Sequence, residues 1–194
     1  MIIGLSGKLG VGKDYIAQNI LNSLLPHNTL PIFLSFADHL KVELYCRDNN
    51  NKLNYNNLFI NKTADIRKEL QTYGTELNRN NKSTIWIDAL DMWIQLLKNR
   101  HKNYNFIFII TDVRFKNEFK YIKSNNGIII RINANKRNEE RLMKEASGNL
   151  NIYNSIKNHI SEIELDNYDF DFIIDNDKEL DLNSIGKFIS KYFI

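Results

Sequence analysis

A glycine-rich segment near the N-terminus constrains the fold of this chain more than any other feature. Residues 7–13, Gly-Lys-Leu-Gly-Val-Gly-Lys, fit the pattern G-x-x-x-x-G-K, which binds phosphate groups. An apolar run over 2–5 precedes it, and residues 14–21 follow with apolar side chains at helical spacing. This order of strand, loop and helix directs backbone N–H groups and the positive helix end at one anion. A glycine-rich turn that only caps a buried helix is the alternative interpretation.

Lys13 in this loop can reach the β- and γ-phosphates of a nucleotide as a mobile positive charge. Asp14 stands where Ser or Thr normally offers a hydroxyl to Mg²⁺. Asp14 either holds Mg²⁺ or turns away from the phosphates, and an acid in the first turn of a helix is also favoured by the helix dipole. The predicted ATP contacts of the loop are Gly7, Gly10, Val11, Gly12, Lys13 and Asp14.

The bulk composition narrows the class of protein. With 194 residues and a net charge of +3, the chain is long enough for one substantial core, and its charge is too small to favour nucleic acid or a membrane surface as the main partner. Cys46 is the single cysteine, which favours a reducing compartment. No long uninterrupted apolar segment predicts a membrane span, so we expect a cytoplasmic protein.

Alternating apolar runs and amphipathic segments predict an α/β fold with a parallel sheet and helices on both faces. The run 106–110 is apolar throughout and is typical of a central strand buried on both sides. Trp86 and Trp93, on one stripe of a predicted helix at 85–97, are expected in the core. The other predicted strands cover 2–5, 30–36, 127–132 and 170–174, and the other predicted helices 14–21, 37–47, 63–73, 115–123, 139–146 and 180–193.

Ligands of such sheets bind at the carboxyl ends of the strands, where this sequence places its most informative polar residues. Asp112 ends the predicted central strand, where P-loop enzymes have an acid for Mg²⁺, and an Asp that caps the next helix is the alternative. Arg114 follows two residues later, and its planar fork suits a phosphate, with a surface salt bridge as the alternative. Asp38 and Asp175-Asn176 also follow predicted strands.

Five segments, in order along most of the chain, resemble the deoxynucleoside monophosphate kinases of bacteriophages and large DNA viruses. They are Gly12-Lys13-Asp14; 35–41, Ser-Phe-Ala-Asp-His-Leu-Lys, with His39 for the usual proline; 70–76, Leu-Gln-Thr-Tyr-Gly-Thr-Glu, with Arg67 before and Arg79 after it; 112–118, Asp-Val-Arg-Phe-Lys-Asn-Glu; and 159–162, His-Ile-Ser-Glu. Asp14 departs from general phosphate loops but agrees with this family.

The resemblance implies a single P-loop NTPase-like kinase domain over 1–194. It would transfer the γ-phosphoryl group of ATP, with Mg²⁺, to a deoxynucleoside 5′-monophosphate. Metal and phosphate would be served by Asp14, Asp112 and Arg114, with Lys13 and Arg114 catalytic. A monophosphate-binding helical insert at about 37–100 would use Asp38, Lys41, Arg67, Gln71, Thr75, Glu76 and Arg79. Small-molecule nucleotides would be the partners, in the host cytoplasm if the protein is viral, and a homodimer is compatible with the sequence.

A polar stretch at about 133–159 lies where related kinases carry a mobile lid. Arg137 and Arg141, one helical turn apart, would close on the transferring phosphoryl group and are therefore included among the catalytic residues. A solvated charged helix paired with Glu140 and Glu145 is the alternative. Asn176 resembles the adenine contact of related kinases. Two other functions compete: a phosphomevalonate kinase of the same fold, and a nucleotide-binding protein without catalysis.

Overall fold

The computed structural model describes residues 1–50 and 52–193, and the side chains of these residues except 64 and 76–78. Within this part the chain forms two compact units. The first unit combines residues 1–34 with the chain from 101 onward, and the second consists of residues 35–100. The first unit contains the sheet and the glycine loop, and the second contains the predicted monophosphate-binding insert.

The first unit is built on a five-stranded sheet in which every pairing is parallel. The strand order β2-β3-β1-β4-β5 puts the first strand of the chain in the middle. This confirms the predicted parallel sheet. The strands are β1 (Ile2–Ser6), β2 (Leu30–Leu34), β3 (Phe106–Val113), β4 (Ile128–Asn133) and β5 (Phe172–Asp175).

The predicted helices are present with longer, shorter or shifted ends, whereas the helices at 150–157 and 160–163 and the helical turn at 56–60 were not predicted. The first helix runs from 13 to 24 as α1 (Lys13–Tyr15), a π-helical stretch (Ile16–Leu21) and α2 (Asn22–Leu24). The others are α3 (Phe36–Arg47), α4 (Ala64–Gln71), which continues as a π-helix (Thr72–Arg79), α5 (Ile85–Arg100), α6 (Lys116–Ser124), α7 (Asn135–Ala146), α8 (Leu150–Lys157), α9 (Ile160–Ile163) and α10 (Leu182–Ser190), with a π-helical turn at Asn56–Ile60.

Successive residues of a strand point to opposite faces of the sheet. Helices pack against both of these faces. On one face Ile3 and Leu5 of β1 belong to a buried cluster with Ile16 of the first helix and Ile189 of α10. On the other face Gly4 lies against α6, where a Cβ at Gly4 would come within 2.6 Å of the Cδ1 of Ile122. The glycine is therefore needed for close packing of helix and strand.

The second unit is helical within the described residues. Ser35 caps α3 by accepting a hydrogen bond from the N–H of Ala37 at 3.1 Å. The indole N–H of Trp86, on α5, donates to the carbonyl oxygen of Gly74 at 2.9 Å inside the unit. A Cβ at Gly74 would lie 2.7 Å from the Cδ2 of Leu40, so α3 packs closely on this part of the chain.

Two predictions about these elements are wrong. Trp93 is 52% exposed, whereas Trp86 is buried as predicted. The buried face of α5 runs through Trp86, Ile87, Leu90 and Ile94 and leaves Trp93 beside it. Asp112 lies inside β3 rather than at its end, because the strand continues until Val113 pairs with Ser6 of β1.

No helix among the described residues is long and apolar enough to cross a membrane.

Candidate active site

The glycine loop between β1 and α1 adopts a backbone that L side chains rarely take. Gly10 and Gly12 have φ angles of 77° and 88°. A Cβ at Gly12 would lie 2.6 Å from the side-chain nitrogen of Asn176, and one at Gly10 would lie 2.6 Å from the Cβ of Arg141. Both the backbone angle and the lack of space therefore require glycine at these two positions.

Two asparagines from distant parts of the sequence hold this loop. The side-chain nitrogen of Asn138, on α7, donates to the carbonyl oxygen of Leu9 at 2.7 Å. The side-chain nitrogen of Asn176, just after β5, donates to the carbonyl oxygen of Val11 at 2.8 Å. Asn176 is only 4% exposed. The two amides therefore hold the loop through its backbone carbonyl oxygens.

A third contact that holds the loop comes from the carboxylate of Asp166. Asp166 pairs with Lys8 of the loop at 2.9 Å through one oxygen and with Arg131 of β4 at 2.9 Å through the other. Arg131 also donates to the hydroxyl of Ser6, the last residue of β1, at 3.1 Å. The ion pairs and the hydroxyl contact join the start of the loop to the neighbouring strand.

Lys13 folds back over the loop that precedes it. Its Nζ donates to the carbonyl oxygens of Gly7 at 2.8 Å and Lys8 at 2.9 Å. The ammonium group is therefore bound to the first two residues of the loop, which is the segment that the sequence motif predicts to bind a phosphate.

The surroundings of Lys13 disfavour its positive charge. Burial is the main cause and, with the nearby charge of Arg114, lowers the pKa of Lys13 to about 7. Glu162, Asp14 and Asp112 act in the opposite direction. Both predicted metal-binding acids thus act electrostatically on Lys13, so this site combines cations with carboxylates.

Arg114 is fixed at both its backbone and its side chain. Its N–H donates to an oxygen of Glu118 at 2.7 Å, and the N–H of Phe115 donates to the same oxygen at 3.0 Å. Glu118 is 1% exposed and lies in the first turn of α6. Its carboxylate is held by these two N–H groups, which fixes the turn between β3 and α6.

The guanidinium of Arg114 forms an ion pair with Glu162, whose side chain is 5% exposed. Burial by itself lowers the pKa of Arg114, but the charge and hydrogen bond of Glu162 outweigh it and raise this pKa above its usual range. Arg114 therefore has a buried partner, which excludes the surface salt bridge considered from the sequence. The helix-cap alternative for Asp112 is also wrong, because the N-cap of α6 is Phe115.

Both arginines of the predicted lid lie near the loop. A Cβ at Gly12 would be 3.7 Å from an Nη1 of Arg137, and Arg141 packs against Gly10. Arg141 also pairs with Glu145 at 2.5 Å, as in the alternative of a charged helix. Arg141 thus contacts the loop and also pairs along its own helix.

The other residues predicted to contact ATP lie in the same part of the chain. Gly7, Val11 and Asp14 belong to the same loop and first helical turn, with Val11 buried and Asp14 exposed. Within the described residues no group of three or more His, Cys, Asp or Glu side chains is arranged to hold a metal ion. Asp14 and Asp112 could hold Mg²⁺ only together with other oxygens, and phosphate oxygens and water are its usual further ligands.

The predicted monophosphate residues belong to the second unit. Lys41 pairs with Asp38 at 2.8 Å and lies over the ring of Phe59, 4.7 Å from its centre. Arg67 and Gln71 lie four residues apart on α4 and share a face. Thr75 and Arg79 follow on the π-helix, and all four are partly buried. The side chain of Glu76, also predicted for this site, lies outside the described residues.

Four residues that hold this site have no separate role that the sequence predicts: Glu118, Asn138, Glu162 and Asp166. Glu118 has a local signature, since a Glu in the third position of a helix commonly accepts from the backbone before it. Glu162 belongs to the segment 159–162 that resembles the family, but its partners could not be inferred, and Asn138 has no signature at all, because the partners of both residues are far away in the sequence.

The chain belongs to the deoxynucleotide monophosphate kinase family, whose model matches residues 14–185. It is a phosphotransferase that phosphorylates deoxynucleoside monophosphates at the expense of ATP. This confirms the family and activity predicted from the sequence. A search of the curated proteins finds no match for the chain.

Proposed function

We propose that the glycine loop binds the triphosphate of ATP and that Lys13 and Arg114 stabilise the transferring γ-phosphoryl group. The observation that carries this proposal is the meeting of Lys13, Arg114 and the loop backbone in one partly buried cluster. Arg114 and a Lys13 that is charged when a phosphate is bound suit a polyanion next to a loop of this shape, and a phosphoryl transfer depends mainly on positioning and charge stabilisation.

In the reaction, an oxygen of the acceptor phosphate attacks the γ-phosphorus of ATP, and the bond from this phosphorus to the β–γ bridging oxygen breaks. The products are ADP and a deoxynucleoside diphosphate. The acceptor phosphate is already ionised near neutral pH, so the site needs no strong base. Lys13 and Arg114 offset the negative charge that gathers on the leaving and transferred oxygens.

Mg²⁺ fits this site through Asp14 and Asp112. Both carboxylates act electrostatically on Lys13, and an Mg²⁺ site of one or two carboxylates with substrate phosphates needs no further acid. When bound, Mg²⁺ would neutralise part of the phosphate charge. Within the chain itself, the role of these two acids is to balance the cationic groups that surround them.

Arg137 and Arg141 are proposed to cover the phosphates from α7, which already packs against Gly10 and Gly12. A covering helix keeps water from the γ-phosphoryl group and so limits hydrolysis of ATP. Asn176 is proposed to contribute to ATP binding at the carboxyl ends of the strands, where its side-chain amide donates to the carbonyl oxygen of Val11 in the glycine loop.

The acceptor is proposed to bind through the second unit. Arg67 and Arg79 supply cations for its phosphate, and Gln71 on the same face as Arg67 can hydrogen-bond a base. Asp38, Lys41, Thr75 and Glu76 complete the proposed set. Small nucleotides are the proposed partners, and the cytoplasm, where ATP is available, is the proposed location.

A phosphorylation assay tests this assignment. Purified protein is given ATP and Mg²⁺ with each of the four deoxynucleoside monophosphates, their ribose counterparts and phosphomevalonate in turn. We expect diphosphate formation from at least one deoxynucleotide, no product from phosphomevalonate, and a loss on the order of 1000-fold in turnover for Lys13→Ala. Turnover of folded Lys13→Ala near that of the wild type would contradict the role of the loop.

A further inference from the structure

One buried carboxylate is shared between the glycine loop and Arg114. An oxygen of Glu162 accepts the backbone N–H of Leu9 at 2.8 Å, and the other accepts from Nη1 of Arg114. Glu162 is 7% exposed. A carboxylate this buried is unfavourable unless it is paired and hydrogen-bonded, so its position depends on the loop and on Arg114 together.

Hydrogen bonds within the short helix α9 fix the backbone next to Glu162. His159 caps α9: its Nδ1 accepts from the N–H of Ser161 at 3.3 Å and lies 2.8 Å from the Ser161 hydroxyl. The carbonyl oxygen of Ser161 accepts from Nη1 of Arg114 at 3.4 Å. Both the main chain and the side chain of this short helix therefore hold the same guanidinium nitrogen.

The same segment reaches the loop a second time. Asp166, four residues after Glu162, pairs with Lys8, whereas Glu162 contacts Leu9. Leu165 between them is buried and anchors the segment in the fold. Two acids from one segment thus contact two successive residues of the loop. These contacts fix the position of the segment relative to the loop.

The contacts leave Arg114 able to bind a phosphate. A guanidinium carries five N–H donors in a rigid fork, and the contacts to Ser161 and Glu162 use Nη1. Glu162 can therefore hold Arg114 while the rest of the fork points at another anion. Since Glu118 holds the backbone of Arg114, Glu162 determines the direction of its side chain.

We propose that Glu162 is a positioning residue for phosphoryl transfer, which orients Arg114 against the glycine loop and acts on the substrate only through that arginine. The inference rests on the proposed role of Arg114. A residue that orients a transition-state contact affects the turnover number more than the binding of ATP. Misplacement of a catalytic group by about 1 Å can cost on the order of 100-fold.

The experiment compares Glu162→Gln with Glu164→Gln in the full chain. Glu164 is a matched control because it is also on this segment and also accepts a backbone N–H, that of Lys116 at 2.9 Å, away from the loop. We expect Glu162→Gln to lower kcat on the order of 100-fold with a change in the KM for ATP below about threefold, and Glu164→Gln to resemble the wild type.

A double-mutant cycle separates positioning from general stability. In an Arg114→Ala background, Glu162→Gln should lower kcat by less than about threefold, because the group that Glu162 orients is gone. Full additivity of the two changes, or a kcat of Glu162→Gln equal to that of Glu164→Gln, would overturn the proposal. If Glu162→Gln does not fold, Glu162→Asp, which keeps the charge but shortens the side chain, is measured in the same cycle. Failure of the wild type to use ATP would instead count against the proposed function.

Discussion

The side-chain amide of Asn176 donates to the carbonyl oxygen of Val11 at 2.8 Å and so ties the end of β5 to the middle of the glycine loop. The amide nitrogen would also lie only 2.6 Å from a Cβ at Gly12. One residue thus both supports the loop and restricts the side chains it can carry.

Asn176→Ala should destabilise the fold and weaken ATP binding. It leaves the buried carbonyl of Val11 without this amide, which costs about 1–3 kcal/mol in the free energy of unfolding. Thermal or denaturant unfolding and the KM for ATP measure the two effects. Asn183→Ala, at an exposed position of α10, is the control and should stay within about 0.5 kcal/mol of the wild type. Equal stability of both variants would show that the tie contributes nothing.

Binding of ATP should be accompanied by proton uptake above pH 7. With a pKa of about 7, Lys13 is mostly neutral at pH 8 in the empty site, and a bound triphosphate favours its charged form. Uptake should therefore be largest above pH 7 and vanish well below pH 7, where the lysine is already charged. ATP affinity should fall correspondingly as the pH rises above 7.

Calorimetry in buffers of different ionisation enthalpy measures this uptake, with a non-hydrolysable ATP analogue as the ligand. Lys13→Met should abolish the uptake, whereas Lys187→Met, at an exposed position of α10, should leave it unchanged. Equal uptake in the wild type and Lys13→Met would show that another group takes up the proton.

Asp112→Asn should raise the Mg²⁺ concentration needed for half-maximal rate by about tenfold or more, because a proposed ligand loses its charge. Mg²⁺ titration of the initial rate at saturating ATP measures this shift. Asp169→Asn, at an exposed position, is the control for a general change of charge. A titration curve identical to that of the wild type would remove Asp112 from the metal site.

Gln71→Ala and Arg79→Ala should affect the acceptor differently. Loss of a hydrogen bond to the base costs about 1–3 kcal/mol and should change the ranking of the four deoxynucleotides. Loss of a cation at the phosphate should weaken all of them alike, by about tenfold to a hundredfold in KM. Gln95→Ala and Arg100→Ala, both on exposed positions of α5, are matched controls. Competition assays across the four acceptors distinguish these patterns, and unchanged acceptor binding in both variants would show the site assignment to be wrong.

The sheet and the glycine loop could be predicted because their signatures are local. The apolar run 106–110 is long enough to identify the central strand, and the order of strands and helices leaves only a parallel sheet. The burial of Trp93 could not be decided in this way. Two apolar stripes on α5 share Trp86 and Leu90, and only the packing selects the one that continues through Ile94.

The carboxylate network behind the loop depends on tertiary contacts. Glu162 contacts Leu9 and Arg114 across long sequence separations, and its place in the segment 159–162 does not indicate these contacts. Arg114 itself was identified from its place after the central strand, but its buried partner was not. The positions of Lys13 and Arg114 could thus be predicted from the sequence, whereas the contacts that hold them could not.

The central place of β1 has a consequence for synthesis of the chain on the ribosome. The N-terminal amine of Met1 donates to the carbonyl oxygen of Phe106 across 105 positions, and β1 lies between β3 and β4. β1 therefore stays without its two neighbouring strands until residues 106–133 have been made, and such distant pairings fold slowly. Asn176, which ties the loop, emerges later still. A chain that stops before residue 176 consequently lacks the amide that holds the carbonyl oxygen of Val11, so its glycine loop is not fixed at this point.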